Sequence, residues 1–175
     1  MPYISEANLR SYADVSGLKQ MANIWIVDSL SKSTKSIFLS HSHKDRELVI
    51  GLINYLASLK IKLYVDWQDS SMPRITGRTT AENIKKRIGE LDFFLILATT
   101  NAMNSHWVPW EIGVADQIKT LANIGIVPVT DKHGNFEGNE YLQLYRRIEL
   151  DNVQNKFFIY EQNSYTGKEL ATWLR

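Results

Sequence analysis

Short uninterrupted apolar runs alternate with stretches of helical period along most of the chain. Residues 36–40, 62–66, 93–98, 124–129 and 156–160 are apolar runs of strand length. Between them, 45–59, 80–89 and 107–122 carry apolar residues at spacings of three and four, a shorter helical piece falls at 140–147, and a closing helix is expected from Thr166. Strands that are apolar throughout are buried on both faces. Each parallel return also needs a crossover, and the single helices between the runs supply it. The pattern predicts an α/β domain built on a doubly wound, five-stranded parallel sheet.

Ahead of this pattern, Leu18, Met21, Ala22 and Trp25 recur at helical spacing and predict an amphipathic helix. The polar stretch Ser31-Lys32-Ser33-Thr34-Lys35 reads as a connector. Residues 1–34 are thus expected to form a helical extension and linker, and residues 35–175 the domain. Thr79-Thr80-Ala81-Glu82 has the form of a capping box, and Pro73 and Gly77 make the segment before it an irregular loop.

A length of 175 residues suits one core rather than two. Twenty basic against nineteen acidic residues, without a run of like charge, build no footprint for nucleic acid. The absence of cysteine removes disulfides, thiolate catalysis and cysteine-ligated zinc, and suits a reducing compartment. No leader pattern or membrane-spanning apolar stretch is evident, so a cytoplasmic location is expected.

In doubly wound sheets, ligands gather beyond the carboxyl ends of the strands. This points to His41, Trp67 and the residues from Thr99 onward. On the helix from Trp107, the residues Trp107, Trp110, Val114, Ala115, Ile118 and Leu121 share one apolar arc, and Glu111 lies inside it. Two readings are open. Either this end of the helix projects past the sheet and Glu111 is wet or paired with an arginine, or Glu111 faces a cleft. The helix start nearby favours its ionised form.

The loop from Trp67 to Arg78 is roughly a dozen residues long, a length more often functional than not. Gly77-Arg78-Thr79-Thr80 could place backbone donors and Arg78 near a phosphate, or could be a plain cap. Trp67 could stack on a flat ring or close the core. His41 and His43 have metal-ligand spacing but no evident third partner, so no metal site is assigned. The nucleophile elbow and the dinucleotide glycine fingerprint are absent.

Ile37-Phe38-Leu39-Ser40-His41-Ser42-His43-Lys44-Asp45 resembles the first strand and loop of bacterial TIR (Toll/interleukin-1 receptor) domains. Leu63-Tyr64-Val65-Asp66-Trp67 is similar to their second strand, Pro73 to Arg78 to their BB loop, and Ser105-His106-Trp107-Val108-Pro109-Trp110-Glu111 to their Trp-x-x-x-Glu helix start. One departure is that Pro73 is followed by Arg74-Ile75-Thr76-Gly77 where many members have Pro-Gly.

The resemblance implies a flavodoxin-like fold and cleavage of NAD+ between nicotinamide and ribose. Glu111 would be the catalytic residue, with Ser40, His41, Asp66, Trp67, Arg78 and Trp107 at the substrate. NAD+ is then a substrate, and no further cofactor is implied. The cation left at the ribose needs support from one carboxylate, and water or an internal nucleophile gives ADP-ribose or a cyclic isomer. The resemblance also implies self-association through TIR–TIR contacts, a downstream effector protein and a role in defence against phage. A non-enzymatic scaffold and a nucleoside deoxyribosyltransferase-like enzyme are the alternatives.

Overall fold

Burial at every position of Phe93–Ala98 marks the middle of the sheet. The computed structural model describes residues 3–13, 35–59, 61–68, 77–151 and 153–174. In chain order the elements are β1 (Ile4–Ser5), α1 (Glu6–Ala13), β2 (Ser36–Ser40), α2 (Arg46–Ser58), β3 (Lys62–Tyr64), α3 (Arg78–Glu90), β4 (Phe93–Ala98), α4 (Thr100–Met103) and α5 (Trp107–Ile118). They continue with β5 (Ile124–Thr130), β6 (Arg146–Asp151), β7 (Lys156–Tyr160), β8 (Gly167–Glu169) and α6 (Leu170–Trp173).

The strand order is β3-β2-β4-β5-β6-β7-β8, and the first five are parallel. The chain steps from β2 outward to β3 and returns on the other side of β2 to β4, so strand order reverses between β2 and β4. A doubly wound sheet opens its ligand crevice at that point.

The fifth parallel strand is β6, not residues 156–160 as expected. Residues 156–160 form β7, antiparallel to β6, with β8 antiparallel beyond it. The expected helix at 140–147 is only a 3-10 turn, Glu140–Leu144, followed by a strand that buries Ile148, Glu149 and Leu150. No crossover helix separates β6 from β7. A tight reversal does so instead, in which the Asp151 carboxylate accepts from the backbone N–H groups of Val153 and Gln154 and Asn155 takes a positive φ. The closing helix expected from Thr166 is instead strand β8 followed by a single helical turn, Leu170–Trp173.

Two apolar layers flank the sheet, and strand alternation sorts them. Ile37, Leu39, Leu95, Leu97 and Val127 face α1 and α2, while Phe38, Phe94, Ile96 and Ile126 face α3 and α5. Ser40, two residues after Phe38, is therefore on the α5 side. α3 begins at Arg78, two residues before the expected start, because the Thr80 hydroxyl accepts the Gly77 backbone N–H.

The expected helix around Leu18 to Trp25 lies outside the described residues. The segment just before it is no loose appendage. β1 pairs in parallel with the end of β5, Ile4 beside Val129, and Leu9 is fully buried. α1 comes so close to α2 that a Cβ added at Gly51 would run into the Leu9 carbonyl oxygen. Among the described residues no helix is long and apolar enough to cross a membrane.

Candidate active site

Two neighbours fix the start of α5. The Ser105 hydroxyl accepts from the backbone N–H groups of Trp107 and Val108, and Pro109 lies in the first turn, where its missing N–H costs nothing. The helix then buries Val108, Glu111, Ile112 and Ala115. This face is turned toward Val108 and Ile112 relative to the expected arc, and Ile118 and Leu121 are exposed. The helix also stops at Ile118, where Lys119 becomes extended and its ammonium donates to the Leu91 carbonyl. Glu111 lies within both arcs.

The Glu111 side chain is neither wet nor, among the described residues, paired with an arginine. The residue is 6% exposed, and its Oε2 accepts a hydrogen bond from Ser40 Oγ at 2.5 Å. Burial pushes its carboxyl up to about 7, and the nearby Asp66 charge adds to the rise, while the Ser40 hydrogen bond and His43 oppose it. The helix start was expected to favour ionised Glu111, and burial works against that form. The group sits near its midpoint at neutral pH.

Asp66 supplies the second charge. It follows β3, and the β2–β3 register, with Phe38 beside Tyr64, carries it toward Ser40 and His41. Its Oδ1 accepts from the Trp67 backbone N–H at 2.8 Å and lies 3.7 Å from His41 Nε2, and its Oδ2 lies 3.1 Å from His43 Nε2. Burial alone would raise Asp66, but the His43 hydrogen bond and both histidine charges hold it below the usual carboxylate range. The sequence reading had found no acidic partner for the two histidines, and this is the one that folding brings. Among the described residues, no group of three or more His, Asp or Glu side chains is arranged to hold a metal ion.

His41 is buried, and its Nδ1 hydrogen-bonds the Leu39 carbonyl at 3.0 Å. Desolvation lowers its pKa, favouring a neutral ring. Trp67 meets His41 edge-on at 4.7 Å between ring centres, and Arg46 lies over the Trp67 ring. His41 Nε2 and Trp67 Nε1 are buried without a hydrogen-bond partner. Such atoms carry a cost that an incoming polar ligand would relieve.

Sequence reasoning missed the contact of Asp45 with Thr99 and Asn101. This buried carboxylate accepts from Thr99 Oγ1 at 2.5 Å and from Asn101 Nδ2 at 2.6 Å, tying the loop after β2 to the loop after β4. Asp45 ends the motif from Ile37 and opens the expected helix, and nothing in its neighbourhood along the chain signals a partner more than fifty residues away.

Fold and contacts thus assemble Ser40, His41, Asp66, Trp67 and Glu111 at the carboxyl ends of β2 and β3. Two other candidates are not drawn in. Arg78 is exposed and pairs with Glu82 at 2.8 Å, and Trp107 packs edge-on against Trp110 one helical turn before Glu111. Most of the expected loop, residues 69–76, lies outside the described residues.

The family described as TIR domain matches residues 37–157. A protein of Bacillus cereus (strain MSX-D12) named "Probable 3' cyclic ADP-D-ribose synthase ThsB'" is 31% identical over 148 residues, which cover 79% of this chain and 75% of that protein. A protein of Cytobacillus dafuensis named "Putative cyclic ADP-D-ribose synthase TIR2" is 30% identical over 100 residues, 55% of this chain and 26% of that protein.

Proposed function

The chain belongs to the TIR domain family, and from that premise we propose that it cleaves the nicotinamide–ribose bond of NAD+ and joins the ribose into a cyclic ADP-ribose product. The observation that carries this reading is the buried Glu111 carboxylate, held by Ser40 at the point where strand order reverses. The names of the two relatives, both cyclic ADP-D-ribose synthases, support the substrate and product class.

Nicotinamide in NAD+ is cationic and departs neutral, so the chemical demand is support for the positive charge that passes to the ribose. A carboxylate near its midpoint in the free protein becomes ionised when a cation binds beside it. Glu111 in that form stabilises the ribosyl cation and accepts hydrogen bonds from the ribose hydroxyls. Ser40 stays on the carboxylate and fixes its orientation. His41 and Trp67, with unpaired buried N atoms, line the site and offer hydrogen bonds to the substrate. The setting in this reading is cytoplasmic signalling in defence against phage, with the product read by an effector protein and activity arising in an assembly of copies. The exposed apolar side chains Ile118 and Leu121 at the end of α5 support such assembly.

The test is release of nicotinamide from NAD+ by the full chain, at dilute and at high protein concentration. Wild type is expected to release it and Glu111→Ala to lose at least a hundredfold. Equal release by the two would remove Glu111 from the mechanism.

A further inference from the structure

His43 is largely open to solvent, with 70% of its side chain exposed, yet its ring is held from two sides. Its Nε2 is 3.1 Å from Asp66 Oδ2, and its ring stacks on that of His41 at 5.8 Å between centres and 14° between planes. His41 is itself anchored to the Leu39 carbonyl. The contact with Asp66 contributes to stability through the paired charges, and it also orients the ring, as a proton acceptor requires.

The hydrogen bond also sets the tautomer. An ionised Asp66 is acceptor-only, so Nε2 carries the hydrogen and Nδ1 keeps its lone pair. Asp66 and Glu111 both favour a proton on this ring, and burial works against it more weakly than the Asp66 hydrogen bond works for it. His43 is thus a carboxylate-backed base beside the carboxylate that supports the cation.

We propose that His43, oriented by Asp66, is the general base of the ring-closing step, a role that rests on the NAD+-cleaving reading above. Water that attacks the ribosyl cation can release its proton directly to solvent. A ribose hydroxyl of the same molecule, folded back on the site, needs a base within reach. In the step, the bond from the anomeric carbon to nicotinamide breaks and its electron pair stays on the pyridine nitrogen. A lone pair of the hydroxyl oxygen forms the new C–O bond to the anomeric carbon. The hydroxyl proton passes to His43 Nδ1, the imidazolium is stabilised by Asp66, and the proton then leaves to water.

The experiment measures nicotinamide, linear ADP-ribose and cyclic product separately for wild type, His43→Ala and Asp66→Asn, using the full chain and NAD+. His43→Ala is expected to lower the cyclic fraction of the product at least tenfold in favour of linear ADP-ribose. Added imidazole is expected to restore part of the cyclic fraction in that variant, which a structural role would not allow. Asp66→Asn is expected to lower the cyclic fraction in the same direction. A cyclic fraction in His43→Ala within twofold of wild type overturns the inference, as does a wild type that releases nicotinamide but forms only the linear product. Absence of nicotinamide from wild type is a different result: it fails the cleavage reading, and the role of His43 falls with it.

Discussion

Ser40 and Glu111, 71 residues apart in the chain, meet as a hydroxyl donating to a buried carboxylate at 2.5 Å. Ser40 is 1% exposed, so neither group can exchange the other for water. A hydrogen bond to a buried charge contributes about 1.5–3 kcal/mol. Removing it leaves the ionised form of Glu111 with less support. Ser40→Ala should therefore lower kcat/KM near neutral pH by roughly tenfold to a hundredfold. A double-mutant cycle with Glu111→Gln would show the coupling, and additive losses would mean that Ser40 acts elsewhere.

Activity should follow the ionisation of Glu111. Its carboxyl titrates at about 7 under the influence of burial, Ser40, Asp66 and His43, and the ionised form is the active one. kcat/KM should thus rise as pH increases through about 7 and level off above it. In Ser40→Ala the rise should move to higher pH, because the lost hydrogen bond was lowering the pKa. A rate that is flat from about pH 5 to pH 9 would contradict this.

The same carboxylate should cost stability. Its pKa is about 7 folded against 4.5 as the reference for the unfolded chain, so the folded state binds the extra proton between those values. Stability is fully present below about 4.5 and declines as pH rises through about 7, by an amount on the order of 3 kcal/mol. Glu111→Gln should therefore melt higher than wild type at about pH 8 and nearly the same at about pH 5. Thermal melts of both proteins across that range decide it.

Gly51 allows α1 to lie on α2, since any Cβ there meets the Leu9 backbone. Backbone cannot swing aside as a flexible side chain can. Gly51→Ala should destabilise by about 1–3 kcal/mol and loosen residues 4–13, visible as faster amide exchange at Leu9. Unchanged stability would mean that α1 is not part of the folded core.

Asp45 accepts from both Thr99 and Asn101 while 4% exposed. Asp45→Ala leaves Thr99 Oγ1 and Asn101 Nδ2 without that acceptor and opens a small void, so unfolding in denaturant should show a loss of about 2–4 kcal/mol. Thr99→Ala should also destabilise, because it removes both its hydrogen bond to Asp45 and the cap on the Ala102 backbone N–H, while Asn101 keeps its acceptor.

Much of this molecule was legible in the sequence, because much of it depends on local period. The runs at 36–40, 93–98 and 124–129 are strands because their centres are continuously apolar, and Trp107-x-x-x-Glu111 marks a helix that carries a charge on its buried side. The reading failed where period was ambiguous. Residues 140–147 carry apolar groups that suit a helix, but the stretch is a 3-10 turn that runs into the start of a strand, and that error displaced the fifth parallel strand by about ten residues along the chain.

Sequence alone therefore determined the α/β class, the parallel core and the position of Glu111 on its helix, since these follow from spacings within a few residues. Tertiary structure decided what Glu111 is. Its partner on β2, its raised pKa and the placement of Asp66 between two histidines all arise from strand register and helix packing across more than twenty residues of chain. Burial sets the charge of a carboxylate, and burial is a property of the assembled layers rather than of any segment.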